Sequence, residues 1–142
     1  MSERGCVMCG KYAAPGPLLI AELATARAYL HEDQFFPGYV LFVLRRHATE
    51  LYGLPASERA THLEEMSRVA EAIARVFQPV KMNYELLGNQ VPHIHWHLVP
   101  RLSTDPALRQ PVWRVDHVPV ALDPAPARER VEAIRRALGA LG

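Results

Sequence analysis

Residues 91–101 read Val91-Pro92-His93-Ile94-His95-Trp96-His97-Leu98-Val99-Pro100-Arg101. Histidines alternate strictly with Ile94, Trp96 and Leu98, and that period of two belongs to a β-strand, whose successive side chains point to opposite faces. On a helix the same residues would fan out by ~100° each and mix polar with apolar. A strand therefore predicts His93, His95 and His97 in a row on one face, with Ile94, Trp96 and Leu98 turned together into a core. Three imidazoles sharing a face point to metal binding, to catalysis, or to both.

Working outward, Val80 to Leu87 reads as a neighbouring strand, joined by the turn or bulge Gly88-Asn89-Gln90. Upstream, Pro17–Leu23 and Ala26–His31 suit two short strands, and Pro37-Gly38 turns into an apolar strand at Tyr39–Leu44. Leu63, Met66, Ala70, Ile73 and Phe77 recur at spacings of three and four, predicting an amphipathic helix over Ser57–Phe77. Downstream, 100–126 is rich in proline and reads as an extended segment wrapped over the domain. Pro126 then suits the first turn of a last helix carrying Val131, Ile134, Leu138 and Leu141. Five strands with a long central helix and a C-terminal helix indicate an α+β domain on an antiparallel sheet.

The chain has 142 residues and a formal net charge of +1. That length suits one domain over 1–142, with its core at about 6–101 and a proline-rich tail and helix at 102–142. No basic stripe argues for a nucleic-acid polymer, and no apolar run is long enough to span a bilayer. Met1 to Gly5 leads into no apolar leader-like segment. The expectation is a soluble cytoplasmic protein.

Cys6 and Cys9 are the two cysteines, in Cys6-Val7-Met8-Cys9-Gly10. Their number and the chain length exclude a disulfide scaffold. A metal knuckle fits, since two thiolates two residues apart can grip one ion while Gly10 permits a tight turn. A redox pair and an idle pair of thiols remain open. The histidine row is open too. All three imidazoles could bind one zinc that activates a water. Alternatively, one imidazole, largely neutral near pH 7, could act as a nucleophile and carry a phosphoryl or nucleotidyl group. A solvated face or a buried hydrogen-bonding network is the third possibility.

The run His93-Ile94-His95-Trp96-His97-Leu98-Val99 resembles the histidine triad (HIT) pattern, and Gly88 to Pro92 before it and Pro100-Arg101 after it also look like that family. Pro37 to His47 resembles the family's strand ending in a basic pair and a histidine. The resemblance implies a HIT-like fold and a nucleotide hydrolase or transferase acting at the α-phosphate of nucleotides, dinucleoside polyphosphates or nucleoside phosphoramidates. It implies His95 as the nucleophile, His97 as its phosphate-side partner, and Asn83, Gly88, Asn89 and Gln90 around the phosphate. A homodimer is implied as well. Bacterial relatives carry a structural Zn2+, for which the matching ligands here are Cys6, Cys9, His47 and His93.

Two departures touch substrate preference. Tyr39 stands where several relatives have a histidine near the phosphates, and Asn89 is one methylene shorter than the glutamine often found there. The alternative function is a nucleotide-binding or interaction protein with little turnover on the same scaffold. The ribose contact falls among His31, Glu32 and Asp33 without resolution. Of the remaining candidates, His62 is expected on the polar side of its helix and His117 in loop packing. Arg45, Arg46 and Arg101 are expected as solvated charges, Trp96 in the core, and Trp113 as an anchor for the tail.

Overall fold

The computed structural model describes residues 4–142, so the leader reading of Met1 to Glu3 lies outside them. A single turn of helix, α1 (Val7–Gly10), precedes β1 (Leu19–Glu22), β2 (Ala26–Leu30) and β3 (Val40–Leu44). Then come α2 (Ala56–Phe77), β4 (Lys81–Leu86), β5 (His95–Arg101) and α3 (Pro124–Ala140). The strands form one antiparallel sheet in the order β1-β2-β3-β5-β4, so β5 is inserted between β3 and β4. Among the described residues no helix is long and apolar enough to cross a membrane.

The sheet has two unlike faces. Phe42 on β3 faces Trp96 on β5 in register, and with Ile94 and Leu98 they join Met66, Val69, Ala70, Ile73 of α2 and Val131, Ile134, Leu138 of α3 in the main core. On the other face Leu41 pairs with His97 and Val43 with His95, beside a smaller cluster of Tyr29, Phe36, Tyr39, Val99 and Val112. The apolar half of the alternating run thus faces two helices, and its histidines face a thinner layer built from loops and α1.

Most boundaries move by one or two residues from the sequence reading, and those of β5 and α3 have a clear physical cause. Strand β5 begins at His95 rather than His93, because the chain bends after Pro92: the His93 N–H donates to the Val91 carbonyl at 2.8 Å, closing a tight turn. His93 therefore stands apart from the row formed by His95 and His97. Helix α3 begins at Pro124, with Asp123 as N-cap, and Pro126 still lies in the first turn, where a missing N–H costs no helical bond.

Gly38 deserves its glycine twice over. Its φ is 90°, and a Cβ there would meet the Phe77 ring at 2.7 Å. The backbone that delivers Tyr39 to the sheet thereby lies directly on the end of α2.

Three side-chain expectations are corrected. His62 is fully buried rather than exposed. It lies between Phe42 and Trp96, accepting the Trp96 indole N–H at Nε2 (3.0 Å) and meeting the Thr25 hydroxyl at Nδ1 (3.0 Å). Arg101 is 2% exposed, not solvated. Its guanidinium is satisfied by Asp105, by the carbonyls of Ala107 and Gln110, and by the Asn83 Oδ1. Trp113 is half-exposed, and its neighbour Val112 is the buried anchor of the tail. Trp96 is buried as expected.

Candidate active site and metal centre

His95 and His97 sit side by side on β5, their rings 5.2 Å apart. Each has its Nδ1 committed, in opposite senses. The His95 Nδ1–H donates to the His93 carbonyl at 2.6 Å, which leaves Nε2 with a lone pair. The Tyr39 hydroxyl lies 2.6 Å from the His97 Nδ1 and has no other hydrogen-bond partner among the described residues; with the phenol donating there, the His97 Nε2 carries the ring's N–H. Burial holds His97 well below the ordinary histidine value, at about 4, with smaller contributions from the neighbouring His95 and His31. Burial likewise raises the Tyr39 phenol, so it stays protonated and keeps donating. When His95 is neutral, the pair presents one Nε2 lone pair beside one Nε2–H.

A cavity of about 420 Å³ opens over these two rings. The turn Gly88-Asn89-Gln90 lines it, and Gly88 takes a φ of 80° there. His31 lines it as well; its ring stacks on Tyr39 at 4.0 Å and its Nδ1 accepts the Asp33 N–H at 3.0 Å. Met8, Tyr12, Leu41 and Val91 supply apolar wall, and Trp113 closes another side, edge-on to His97 at 5.0 Å. Tyr39 lies behind His97 rather than in the lining. Asn83 lines a separate groove with Arg101 and Arg109. Of the acidic candidates, Asp33 is occupied by His117 and by the Phe35 and Val120 amides, whereas Glu32 is an exposed partner of Lys11 at 2.5 Å.

The second constellation lies next to the first. Cys6, Cys9, His47 and His93 bring one ligand atom each within 4.8 Å of one another. The Cys6 and Cys9 sulfurs lie 3.5 and 3.4 Å from His93 Nδ1, and the Cys9 sulfur lies 3.3 Å from His47 Nδ1. Neighbouring sulfur and nitrogen ligands of a tetrahedral zinc are separated by about 3.6 Å, given its usual bond lengths. His93 Nε2–H donates to the Leu44 carbonyl at 2.7 Å, which turns Nδ1 toward the thiols in the manner of an oriented metal ligand. Donor set and spacing both fit zinc. Four such ligands would close a tetrahedral coordination sphere, and His95 and His97 stand outside the cluster.

Sequence reading did not single out Met8, Tyr12 or Leu41 as pocket residues, and it left His31 unassigned. Their signal is a fold-level one, since the pairing of β3 with β5 brings Leu41 there and the placement of α1 and of the end of β2 on the histidine face brings the others.

The family model for the HIT domain matches residues 18–104. A bis(5'-nucleosyl)-tetraphosphatase (asymmetrical) from Schizosaccharomyces pombe is 29% identical over 55% of this chain, and the match spans 46% of that protein's length. A histidine triad protein from Bradyrhizobium japonicum is 32% identical, with TM-score 0.78 over 84% of this chain and 89% of that one. A zinc-bound histidine triad family protein from Mycobacterium smegmatis is similar in fold, with TM-score 0.70 and 24% identity over 99% of this chain and 97% of that one.

Proposed function

The chain belongs to the HIT domain family, and from that membership we propose that it is a nucleotide hydrolase or transferase working through a nucleotidyl-histidine intermediate on His95. The observation that carries this reading is the opposite commitment of the two Nδ1 atoms: His95 is left with a lone pair at Nε2 and His97 with an N–H. In the first step the His95 Nε2 attacks the α-phosphorus of a nucleotide, dinucleoside polyphosphate or nucleoside phosphoramidate. A P–N bond forms, and the bond from phosphorus to the leaving group breaks with the electron pair going to that group. The His97 Nε2–H donates to a phosphate or leaving-group oxygen as charge develops. Water then attacks phosphorus and gives up a proton to solvent, the P–N bond breaks with its electron pair returning to the His95 Nε2, and a nucleoside monophosphate leaves. Backbone N–H groups of Gly88, Asn89 and Gln90 would receive the phosphate oxygens. The activity named for the fission-yeast relative, on a dinucleoside tetraphosphate, supports the dinucleoside polyphosphate class.

Cys6, Cys9, His47 and His93 would hold a structural Zn2+, which when bound ties the amino-terminal knuckle to the end of β3 and the entry of β5. The homodimer implied by family membership is part of the same proposal.

Incubation with an adenylyl donor, quenched early in mild base, should give a protein heavier by one nucleotidyl group, and His95→Gly should abolish that adduct. Nucleotide binding without any adduct across several donors would instead leave a binding module. For the metal, about one zinc per chain is expected on elemental analysis, with loss in Cys6→Ser and in Cys9→Ser and retention in His95→Gly. Zinc retained without the cysteines would sink the assignment.

A further inference from the structure

The histidine face of the sheet continues beyond His97. In the β4–β5 pairing Glu85 stands opposite His97, Asn83 opposite Val99 and Lys81 opposite Arg101, so these three β4 residues share the face of His97. At the rise of a strand, Asn83 lies about 7 Å and Lys81 about 14 Å along β4 from Glu85. A groove of about 400 Å³ runs over them, flanked on its other side by Leu108 to Pro111 of the tail. It borders the cavity over His95 and His97 at Glu85, which lines the groove, and Trp113, which lines the cavity. The indole N–H donates to the Glu85 carboxylate at 3.1 Å.

Donors dominate this groove. Lys81 and Arg109 are exposed, and neither pairs with a carboxylate among the described residues. Asn83 is oriented by Arg101. A guanidinium can only donate, so the carboxamide turns its Oδ1 to the Arg101 Nη1 at 3.0 Å and leaves its own N–H groups to the groove. Arg101 adds no free charge, because Asp105 is paired with it. Two uncompensated cations and a fixed amide thus face one carboxylate, Glu85, which already accepts the indole N–H. A trough of this kind suits an extended anion.

We infer that this groove receives the distal phosphates of a dinucleoside polyphosphate, with Lys81, Asn83 and Arg109 holding the leaving-group side while His95 attacks the α-phosphorus. The inference rests on the nucleotidyl-transfer reading above and selects among its substrate classes. A dinucleoside tetraphosphate releases a nucleoside triphosphate, whose phosphates extend along the line from Glu85 to Lys81. A nucleoside phosphoramidate releases an amine and leaves the groove unused.

Steady-state kinetics on diadenosine tetraphosphate and on an adenosine phosphoramidate test it, read as the ratio of the two kcat/KM values. Lys81→Gln and Arg109→Gln should each lower the ratio of tetraphosphate to phosphoramidate about 3- to 10-fold, between a screened surface pair and a hydrogen bond to a charge. Lys81→Arg, which keeps the charge, should hold most of the wild-type ratio. Added salt should lower the ratio more in the wild-type chain than in the Lys81→Gln, Arg109→Gln double variant. Inorganic tripolyphosphate should compete with the tetraphosphate, and the double variant should need more of it for the same inhibition. An unchanged ratio in the double variant, or an equal loss on both substrates, overturns the inference while leaving the nucleotidyl reading intact. Failure of the wild-type chain to turn over either substrate or to form the His95 adduct overturns both.

Discussion

His95 and His97 are the same side chain two residues apart, and what separates their chemistry is the partner at Nδ1. A carbonyl two residues back takes the Nδ1–H of one ring, and a phenol 58 residues upstream meets the Nδ1 of the other, so on the proposed reading one presents an acceptor and the other a donor at Nε2. Tyr39→Phe removes that phenolic donor without changing the shape of the site. His97 can then place its proton on either nitrogen, and we expect kcat to fall about tenfold, the scale of one buried hydrogen bond, with KM nearly unchanged. A shift confined to KM would instead mean that Tyr39 acts only on binding. Alternation along 91–101 made the shared face of His95 and His97 legible from the sequence, because a strand period needs nothing beyond its own residues. The tautomers were not legible. They depend on Tyr39, delivered by a distant strand, and on the turn at Pro92 that aims the His93 carbonyl.

At the scale of elements, local periodicity placed all five strands and both long helices, with boundaries moved by a few residues. His62 shows what the pattern held but did not yield when read from large apolar residues only. His62, Met66, Val69 and Ile73 follow the same three-and-four spacing, so the imidazole belongs to the buried stripe and is kept there by Trp96 and Thr25. Arg101 is the converse case, for nothing local announces a buried guanidinium at a strand end. Its meaning lies in the tail, whose carbonyls at Ala107 and Gln110 and whose Asp105 converge on it and so bring Trp113 against His97. Arg101→Met should leave the nearly buried Asp105 unpaired and cost about 3–5 kcal/mol. Because the sheet core is untouched, the damage should concentrate in the tail. Limited proteolysis is expected to nick 102–114 well before the rest of the chain, and uniform resistance along that segment would show that the tail is held by other contacts.

For the whole molecule, burial on both faces of the sheet has a common electrostatic consequence. Burial holds His31, His62 and His97 below the ordinary histidine value, His62 under the helices and the other two beneath the cavity. The folded chain therefore keeps these rings neutral where the unfolded chain, with values near 6.5, takes up protons. More protons on the unfolded state mean that stability falls as pH falls below about 6.5, and for His97 the loss continues down to about 4. His117 works in the opposite sense. Asp33 raises it, so its contribution is complete below about 6.5 and is lost as pH rises through its raised value. Outside the thiol and imidazole cluster, three depressed rings against one raised ring give a net acid sensitivity. His97→Gln isolates one ring while sparing all four thiol and imidazole ligands of the metal site. With metal content monitored, the wild-type chain should lose stability between pH 6.5 and 4 more steeply than the variant. The difference should approach one proton and accumulate to about 2 kcal/mol, once the remaining solvent access of the ring is allowed for. Parallel stability curves for the two chains would show that His97 is protonated as readily in the folded state as in the unfolded one, and its role as a neutral donor would fail with them.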